Sequence, residues 1–288
     1  MPRAGALFVG SVVAVLVAAT TSACGAPGPK ETDRPAPGHP TLRVLQYNLC
    51  GAAAHCTWNA GGSGADTSVA RVVSEARDLE PDIITLNEIC LTQYASLKRQ
   101  LAAAGRRMDG TYASFHDNVP NCGGTGQYGE AVLSRTDVPD DVQDFRPFVH
   151  TGGERYTNAG RTVPVHRGLL CAHTRFAGRP LTACTAHAYA GAPEQLREIR
   201  DWTLEPSRDT PTVMAGDLNL PPDSSALDYL TPHFAEADHD EEPTADGRKI
   251  DYVFADRRHF TVVTGDARKF PESDHALLTG QFTFDPQE

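Results

Sequence analysis

Polar side chains of a few types recur at the ends of apolar runs along this 288-residue chain. Asn48 closes Leu-Gln-Tyr-Asn, Glu88 closes Ile-Ile-Thr-Leu-Asn-Glu, and His187 closes Cys-Thr-Ala-His. Asp217 and Asn219 close the run Val-Met-Ala-Gly-Asp-Leu-Asn. One such residue is most simply a turn or a cap, but loops at one end of a sheet share a cleft. We therefore expect these side chains to converge on one site.

Three further residues of the same types lie near the C-terminus. Asp251 opens Asp-Tyr-Val-Phe, while Asp274 and His275 precede the last apolar run. Carboxylate and amide oxygens suit Mg²⁺ or Ca²⁺ rather than Zn²⁺, and His187 and His275 lack the spacing of a zinc helix. A cation that polarises a phosphate, beside imidazoles that handle protons, is the chemistry of phosphoryl transfer. The set therefore predicts metal-dependent phosphoryl transfer.

Apolar periodicity predicts the elements that position these groups. Strands are predicted at Thr41–Asn48, Asp82–Glu88, Tyr128–Ser134, Gly168–Arg175, Leu181–His187, Pro211–Ala215, Ile250–Phe254, Phe260–Val263 and Ala276–Phe284. Helices are predicted from Val69 to Leu79, over Leu91–Ala104 and over Pro193–Leu204. Strand–helix alternation that passes into hairpins indicates a mixed α/β architecture.

Seven segments together carry a resemblance to a known family. In chain order they are LRVLQYNLCG, PDIITLNEIC, YGEAVLSR, TAHAYA, VMAGDLNLPP, KIDYVFA and SDHALL. Their order resembles that of the endonuclease/exonuclease/phosphatase superfamily, which has the DNase I-like fold, and the similarity spans about residues 42–284. The resemblance implies an α/β four-layer sandwich, in which two mixed β-sheets face each other with helices outside.

The resemblance also implies roles for the matched residues. Glu88 would be the principal metal ligand, with Asn48 and Asp274 nearby, and the metal would be Mg²⁺, or else Ca²⁺ or Mn²⁺. Asn219 would hold a phosphate oxygen. Asp217 would orient or deprotonate the attacking water.

Two histidines complete the implied set. His275 would pair with Asp251 and serve as base or as transition-state stabiliser, and His187 would stabilise the developing charge or the leaving group. DNase I-type enzymes place a glutamate that buttresses the equivalent of His187, and we expect Glu130 to do so here. Such a partner would raise the pKa of the imidazole. The alternative for Glu130 is a solvent-facing strand residue.

The first residues have the composition of an export signal. Arg3 precedes an apolar stretch over residues 4–20, and small residues lead to Cys24. This pattern is typical of a secretory signal peptide over residues 1–23. Thr-Ser-Ala-Cys resembles a bacterial lipobox, so we expect lipidation of Cys24 and a lipoprotein that faces outside the cell membrane. The alternative is a freely secreted protein.

Composition also bounds the rest of the chain. Residues 24–40 are rich in proline and glycine and predict an extended tether, which leaves residues 41–288 as one domain. The formal net charge of −11 makes the surface as a whole repel anionic membranes and nucleic acid. We therefore expect membrane contact only through the lipid anchor, phosphate handling at a local site, and a monomer.

The seven cysteines predict a disulfide framework. Lipidation of Cys24 leaves six, enough for three disulfides in an oxidising compartment. Two neighbouring predicted strands form a hairpin that places Cys171 opposite Cys184, close to disulfide range. Three pairings remain for the other four cysteines, and of these we choose Cys50–Cys56, a short loop, with Cys90–Cys122.

Positive charge concentrates between Phe145 and Pro180. This stretch has six arginines, no lysine or aspartate, and Glu154 as its single acidic residue. Because the guanidinium fork suits phosphate, we expect the segment to hold the substrate. The alternative is that these arginines pair with the acidic surface. The predicted contacts are Arg155, Arg161 and Arg167. By contrast, the acidic run from Glu236 to Asp246 is typical of a solvated loop, with Ca²⁺ binding as the alternative.

The function expected from the sequence is a metal-dependent phosphodiesterase, foremost an extracellular nuclease that acts on nucleic acid. A sphingomyelinase-type phospholipid phosphodiesterase or a phosphatase is the alternative. The lipid enzyme would need an exposed apolar or aromatic hairpin, and no cluster of Trp and Phe stands out. A non-catalytic surface binding protein of the same fold is disfavoured, because the chain keeps every residue of the implied site.

Overall fold

The computed structural model describes residues 39–52, 56, 66–139, 144–158, 161–205 and 209–285. The predicted signal peptide, Cys24 and all but the last two residues of the predicted tether lie outside these ranges. Within them, no helix combines the length and the apolar character needed to cross a lipid bilayer.

Two six-stranded sheets form the body of the fold. The strands are β1 (Thr41–Asn48), β2 (Ile83–Cys90), β3 (Asp109–His116), β4 (Tyr128–Ser134), β5 (Asp144–Pro147), β6 (Arg155–Asn158), β7 (Arg161–Pro164), β8 (Gly168–Phe176), β9 (Arg179–Ala186), β10 (Thr212–Asp217), β11 (Phe234–Glu236), β12 (Asp251–Asp256), β13 (Phe260–Lys269) and β14 (Ala276–Phe284). The strand orders are β13-β14-β1-β2-β4-β3 and β11-β12-β10-β9-β8-β5, and β6 and β7 form a separate hairpin. Both sheets are mixed: β1 and β2 run parallel, as do β9 and β10, and the other neighbouring strands are antiparallel.

Helices cover the outer faces of both sheets. They are α1 (Asp66–Leu79), α2 (Leu91–Ala103) and α3 (Gln195–Thr203), with short 3-10 helices at Pro120–Cys122 and Ser225–Tyr229. Side chains of α1 and α2 share a core with the first sheet, and those of α3 share one with the second. A third core fills the space between the sheets. The predicted four-layer sandwich is thereby confirmed.

Alternation along the strands separates these cores, because successive strand side chains point to opposite faces. In β1, Leu42 and Val44 join the core between the sheets, whereas Leu45 and Tyr47 join the core under α1 and α2. Continuing the alternation brings Gln46 and Asn48 between the sheets. Towards the ends of the strands, the core between the sheets therefore changes from apolar to polar.

Apart from shifts of one to three residues at the ends of elements, the strand and helix predictions differ from the structure in two ways. The pattern gave no strand at Asp109–His116, Asp144–Pro147, Arg155–Asn158, Arg161–Pro164 or Phe234–Glu236. These are edge strands or a detached hairpin, and Asp109–His116 has only two buried residues, so its apolar signal is weak. β13 continues to Lys269, beyond the predicted end at Val263, because its mostly half-exposed residues still pair with β14.

The disulfide prediction is confirmed. The three pairs are Cys50–Cys56, Cys90–Cys122 and Cys171–Cys184. Cys171 and Cys184 are register partners in the β8–β9 hairpin, as predicted. Their side chains belong to the core under α3, away from the space between the sheets.

Candidate active site

The parallel strands β1 and β2 bring Asn48 and Glu88 to the same edge of the first sheet. Asn48 is the register partner of the residue before Glu88, and the ladder to β4 shifts at Glu88. The Gly51 main-chain N–H donates to the Glu88 carbonyl at 2.8 Å, which ties the two loops together. The Cys50–Cys56 and Cys90–Cys122 disulfides then fix the segments that follow each strand.

Glu88 has the features of a ligand held ready at the mouth of the site. Its backbone is left-handed, with φ of 56°, a conformation that non-glycine residues adopt at an energetic cost and that recurs at active sites. Its carboxylate accepts a hydrogen bond from the Tyr128 hydroxyl, and Oε1 lies 4.0 Å from His187 Nε2. The side chain keeps 21% of its surface exposed, so this carboxylate is accessible.

Asp217 lies at the centre of the site. Its Oδ2 is 3.3 Å from His187 Nε2 and 3.7 Å from His275 Nε2. The same oxygen accepts a hydrogen bond from Asn48 Nδ2 at 3.1 Å, and Oδ1 accepts one from the Asn219 main chain at 2.9 Å. One buried carboxylate oxygen therefore joins both histidines and the amide of β1.

Charges around this carboxylate set its protonation. Burial raises the pKa of Asp217 to about 7, and the neighbouring charge of Asp251 adds to the shift. Burial also lowers the pKa of His275, but Asp251, Asp217 and Asp274 outweigh that effect and raise it to about 10. His275 Nδ1 lies 2.8 Å from Asp251 Oδ2, the pair that the resemblance implies. At neutral pH, His275 is thus the cation and Asp217 the group that exchanges a proton.

The structure corrects the expectation for Glu130 and His187. Glu130 is completely buried, so the solvent-facing alternative is wrong. Its Oε2 lies 3.4 Å from Asn87 Nδ2, whereas its Oε1 and the His187 Nδ1 are both buried without a hydrogen-bond partner among the described residues. The expected rise in the pKa of His187 is also wrong: burial lowers it, and the positive charges of Arg167 and His275 lower it further. Burial likewise raises the pKa of Glu130, so this carboxyl does not supply the negative charge that would raise the pKa of His187.

Asn219 and Asp274 flank this centre. Asn219 is left-handed, with φ of 56°, and its Nδ2 lies 3.2 Å from His187 Nε2 and 3.0 Å from the Ala188 carbonyl. Asp274 precedes His275 and lies beside the Cys50–Cys56 disulfide, with a carboxylate oxygen within 4.8 Å of both sulfurs. Because those sulfurs are bonded to each other, they offer no thiolate to a metal.

The arginines of the segment from Phe145 to Pro180 have different partners in the structure. Arg167 makes a two-bonded pair with Glu154, at 2.7 Å for each bond, and its charge acts on both Glu88 and Asp217. Arg146 pairs with Glu205 at 2.7 Å, as the alternative interpretation expected. Arg155 is exposed and donates to the Thr162 carbonyl at 3.4 Å. The side chain of Arg161 lies outside the described part of the chain.

The donor set fits a hard divalent cation. Asp217, Asp251 and His275 each offer a ligand atom within 4.8 Å of the others. Asp251 Oδ1 is buried and has no hydrogen-bond partner among the described residues. The carboxylates of Asp217, Asp251 and Glu88 are oxygen donors of the kind that Mg²⁺ and Ca²⁺ prefer. A cation there would meet an acceptor that the fold leaves unpaired.

A family model described as the endonuclease/exonuclease/phosphatase family matches residues 56–275. The chain belongs to this family. Its members are generally phosphoesterase hydrolases that use divalent metals, and they include nucleases, phosphodiesterases and phosphatases. Among curated proteins, no relative matches the chain.

Solved structures of the family share the fold. An endonuclease/exonuclease/phosphatase from Beutenbergia cavernae is 24% identical, with a TM-score of 0.65 over 85% of this chain and 72% of that one. The TDP2 of D. rerio, complexed with a single-strand DNA product, is 15% identical, with a TM-score of 0.60 over 84% and 99%. The human Nocturnin catalytic domain, with bound sulfate, is 16% identical, with a TM-score of 0.54 over 85% and 94%.

Sequence reasoning missed three residues that position the family's site. Asn87 lies between the sheets and accepts from the Asp217 main-chain N–H at 2.9 Å. Ser273 Oγ donates to the Asn48 carbonyl at 2.7 Å and accepts from the His275 main chain at 3.1 Å. Tyr128 donates to Glu88. Tyr128 and Ser273 each open a matched segment, and that position was the available signal, whereas Asn87 lies inside its segment.

Proposed function

We propose that the protein is an exported, divalent-metal-dependent phosphodiesterase that cleaves nucleic acid by in-line attack of water. The observation that carries this proposal is the contact of Asp217 with both His187 and His275, beside the accessible carboxylate of Glu88. Such a centre offers a proton acceptor, a cation and a metal ligand within one cleft, which is what phosphodiester hydrolysis requires.

The chemistry divides among the residues as follows. Glu88, with Asn48 and Asp274, would hold the divalent cation, foremost Mg²⁺, which supplies positive charge to a bound phosphate oxygen. Asp217, with a pKa of about 7, takes the proton of the attacking water as the new P–O bond forms. The P–O bond to the leaving oxygen breaks, and that oxygen takes a proton from solvent.

The other side chains stabilise the charge that develops on the phosphate. His275 is held cationic by its 2.8 Å contact with Asp251, and it can donate to a non-bridging oxygen. Asn219 Nδ2 is directed at the same region beside His187. His187 is neutral, because burial and nearby cations lower its pKa, so it acts as a hydrogen-bonding group at the leaving oxygen.

Two features favour nucleic acid as the substrate. Arg167 presents its charge to the centre, and its Nη1 is buried without a hydrogen-bond partner among the described residues. A guanidinium so placed suits a phosphate next to the scissile one. The described surface has three exposed large hydrophobic residues, Val149, Tyr156 and Tyr229, and this does not make the apolar hairpin that a sphingomyelinase would need. The single-strand DNA product bound by the D. rerio TDP2 agrees with this choice.

From the signal-like composition of the first 24 residues, we propose an exported, lipid-anchored protein that faces outside the cell and is active as a monomer. Mass spectrometry of membrane and culture fractions tests this, because lipidation of Cys24 adds a defined mass to the mature N-terminus. A protein that starts at Met1 in the cytoplasmic fraction would contradict export.

The substrate is tested with DNA, RNA, sphingomyelin and inositol phosphates, each with Mg²⁺ and with EDTA. We expect cleavage of DNA or RNA that EDTA abolishes, and a loss of about 10²–10⁴-fold in turnover for Glu88→Ala or His275→Ala. Hydrolysis that EDTA does not affect would refute the metal. Turnover of sphingomyelin alone would refute the nuclease.

A further inference from the structure

The β6–β7 hairpin is outside both six-stranded sheets and takes no part in the chemistry described above. It pairs Tyr156 with Val163 and Thr157 with Thr162. Its base is fixed to the body of the protein: the Arg167–Glu154 pair closes it, and the His166 main-chain N–H donates to the Phe115 carbonyl at 3.3 Å. The hairpin is therefore a short arm with a rigid base beside the active site.

Tyr156 places an aromatic ring close to the metal ligand. Its ring packs at 75° against His116, with ring centroids 4.4 Å apart. His116 is the register partner of Tyr128, whose hydroxyl donates to Glu88. Two side chains thus separate the Tyr156 ring from the carboxylate of Glu88. An edge contact covers only part of a ring, and Tyr156 keeps 37% of its surface exposed.

The same arm carries positive charge in a chain of net charge −11. Arg155 is exposed, and no carboxylate among the described residues pairs with it. Arg167, at the base, directs its charge at Glu88 and Asp217 and packs over the Phe115 ring at 5.6 Å. A cation at the base and an exposed ring on the arm match the alternation of phosphate and base along a polynucleotide.

We propose that Tyr156 is a stacking platform for an unpaired base next to the phosphate being cleaved, so that the enzyme prefers single-stranded nucleic acid to duplex. A base stacks on a protein ring only when it has left its own helix, and a duplex would have to give up pairing to do so. This inference rests on the proposed nuclease function and specifies the form of its substrate.

Tyr229 provides a matched control. It is also 37% exposed and lies next to a cation, with the Arg200 guanidinium 5.4 Å from its ring centroid. It belongs to the 3-10 helix on the outer face of the second sheet, with α3 beside it. Tyr229→Ala therefore removes an equally exposed ring from a different face of the molecule.

The experiment compares Tyr156→Ala, Tyr156→Trp and Tyr229→Ala with the wild-type full chain. Steady-state kinetics with Mg²⁺ use a single-stranded oligonucleotide, the same sequence as a duplex, and methyl p-nitrophenyl phosphate, a small diester without a nucleobase. We expect Tyr156→Ala to raise KM for the single strand by about 5- to 100-fold. Tyr156→Trp should keep the KM, since tryptophan also stacks, and Tyr229→Ala should match the wild type.

The outcomes distinguish the two proposals. Wild-type protein inert toward both the oligonucleotides and the small diester would overturn the proposed function and this inference with it. Cleavage of oligonucleotides with equal KM in Tyr156→Ala and Tyr229→Ala would overturn the stacking platform alone. So would a wild-type enzyme that prefers the duplex. Circular dichroism of each variant, compared with the wild type, checks that the loss of the ring has not unfolded the chain.

Discussion

Replacing Asn87 by alanine should remove the support of Asp217 without removing any group that reacts. Asn87 is completely buried between the sheets. Its Oδ1 accepts from Gln46 Nε2 at 2.8 Å and from the Asp217 main-chain N–H at 2.9 Å. Its Nδ2 lies 3.2 Å from Thr185 Oγ1 and 3.4 Å from Glu130 Oε2. One amide thereby connects strands of both sheets at the site.

The size of the effect follows from the groups that lose a partner. The substitution leaves two buried donors, from Gln46 and Asp217, without an acceptor, and each costs about 1–3 kcal/mol. A water molecule that enters the vacated space recovers part of this, so we expect a loss of about 2–4 kcal/mol in the free energy of unfolding. A general base displaced by about 1 Å costs up to about 100-fold in rate. We therefore expect kcat to fall by about 10- to 100-fold.

Thr85→Val is the matched control. Thr85 is buried in the same layer, and its Oγ1 lies 2.6 Å from Gln46 Oε1 and 3.3 Å from the Leu45 carbonyl, without contact to a reacting group. Urea unfolding should show a loss of about 1 kcal/mol for this variant. Its kcat at saturating metal and substrate should equal that of the wild type. A wild-type kcat in Asn87→Ala, with the stability loss present, would refute the positioning of Asp217 by Asn87.

Three further predictions concern other parts of the molecule. Arg167→Lys replaces the guanidinium fork that binds Glu154 by a single point charge. The kcat/KM for DNA should therefore fall by about tenfold or more. Unchanged kinetics would contradict a contact between Arg167 and a substrate phosphate. Burial raises the pKa of Glu236 to about 7. The folded state therefore keeps a proton on Glu236 that the unfolded chain releases. Between about pH 4.5 and pH 7, the free energy of unfolding should fall by about 2–3 kcal/mol. Urea unfolding at several pH values should show a smaller fall for Glu236→Gln. Replacing the Cys90–Cys122 disulfide by two serines should lower the free energy of unfolding by about 3 kcal/mol. It should also raise the metal concentration needed for half-maximal activity, which a metal titration measures. An unchanged titration would show that the disulfide does not support Glu88.

Much of the site could be predicted because its residues lie at the ends of strong apolar runs. The strands that end at Asn48 and Asp217 are buried on both faces, so their polar termini stood out from the sequence. Asn87 was missed for the converse reason. It lies inside the run Ile-Ile-Thr-Leu-Asn-Glu, and only its contacts across the two sheets show that it supports Asp217.

Electrostatics was the part that sequence could not supply. A glutamate near a histidine suggested a raised imidazole pKa, but the sign depends on burial, and Glu130 and His187 are both enclosed. The acidic run from Glu236 to Asp246 is exposed at Asp240, Glu241, Glu242 and Asp246, as the solvated-loop prediction expects. Glu236 and Asp238 differ, because they lie 3.3 and 2.7 Å from the buried Lys249. The departures at His187 and at this pair both come from long-range burial, which residue types alone do not specify.

Strand direction explains why the reactive groups meet at one end of the sandwich. The parallel pairs β1–β2 and β9–β10 end at that edge and deliver the groups at their C-terminal ends, Asn48, Glu88, His187 and Asp217. The antiparallel neighbours β4, β12 and β14 begin there and deliver the groups at their starts, Tyr128, Asp251 and His275.

The same rule accounts for the two kinds of position that the motifs occupy in the chain. Where a strand runs towards the site, the reactive residue follows its apolar run in the sequence. Where a strand runs away from the site, the reactive residue precedes that run. A shift of one residue in either parallel pair would turn Asn48 or Asp217 away from the space between the sheets, because side chains alternate along a strand. The apolar side chains of these strands pack into the core between the sheets and thereby fix the register of the strands. The geometry of the active site therefore depends on these apolar side chains as strictly as on the reactive residues.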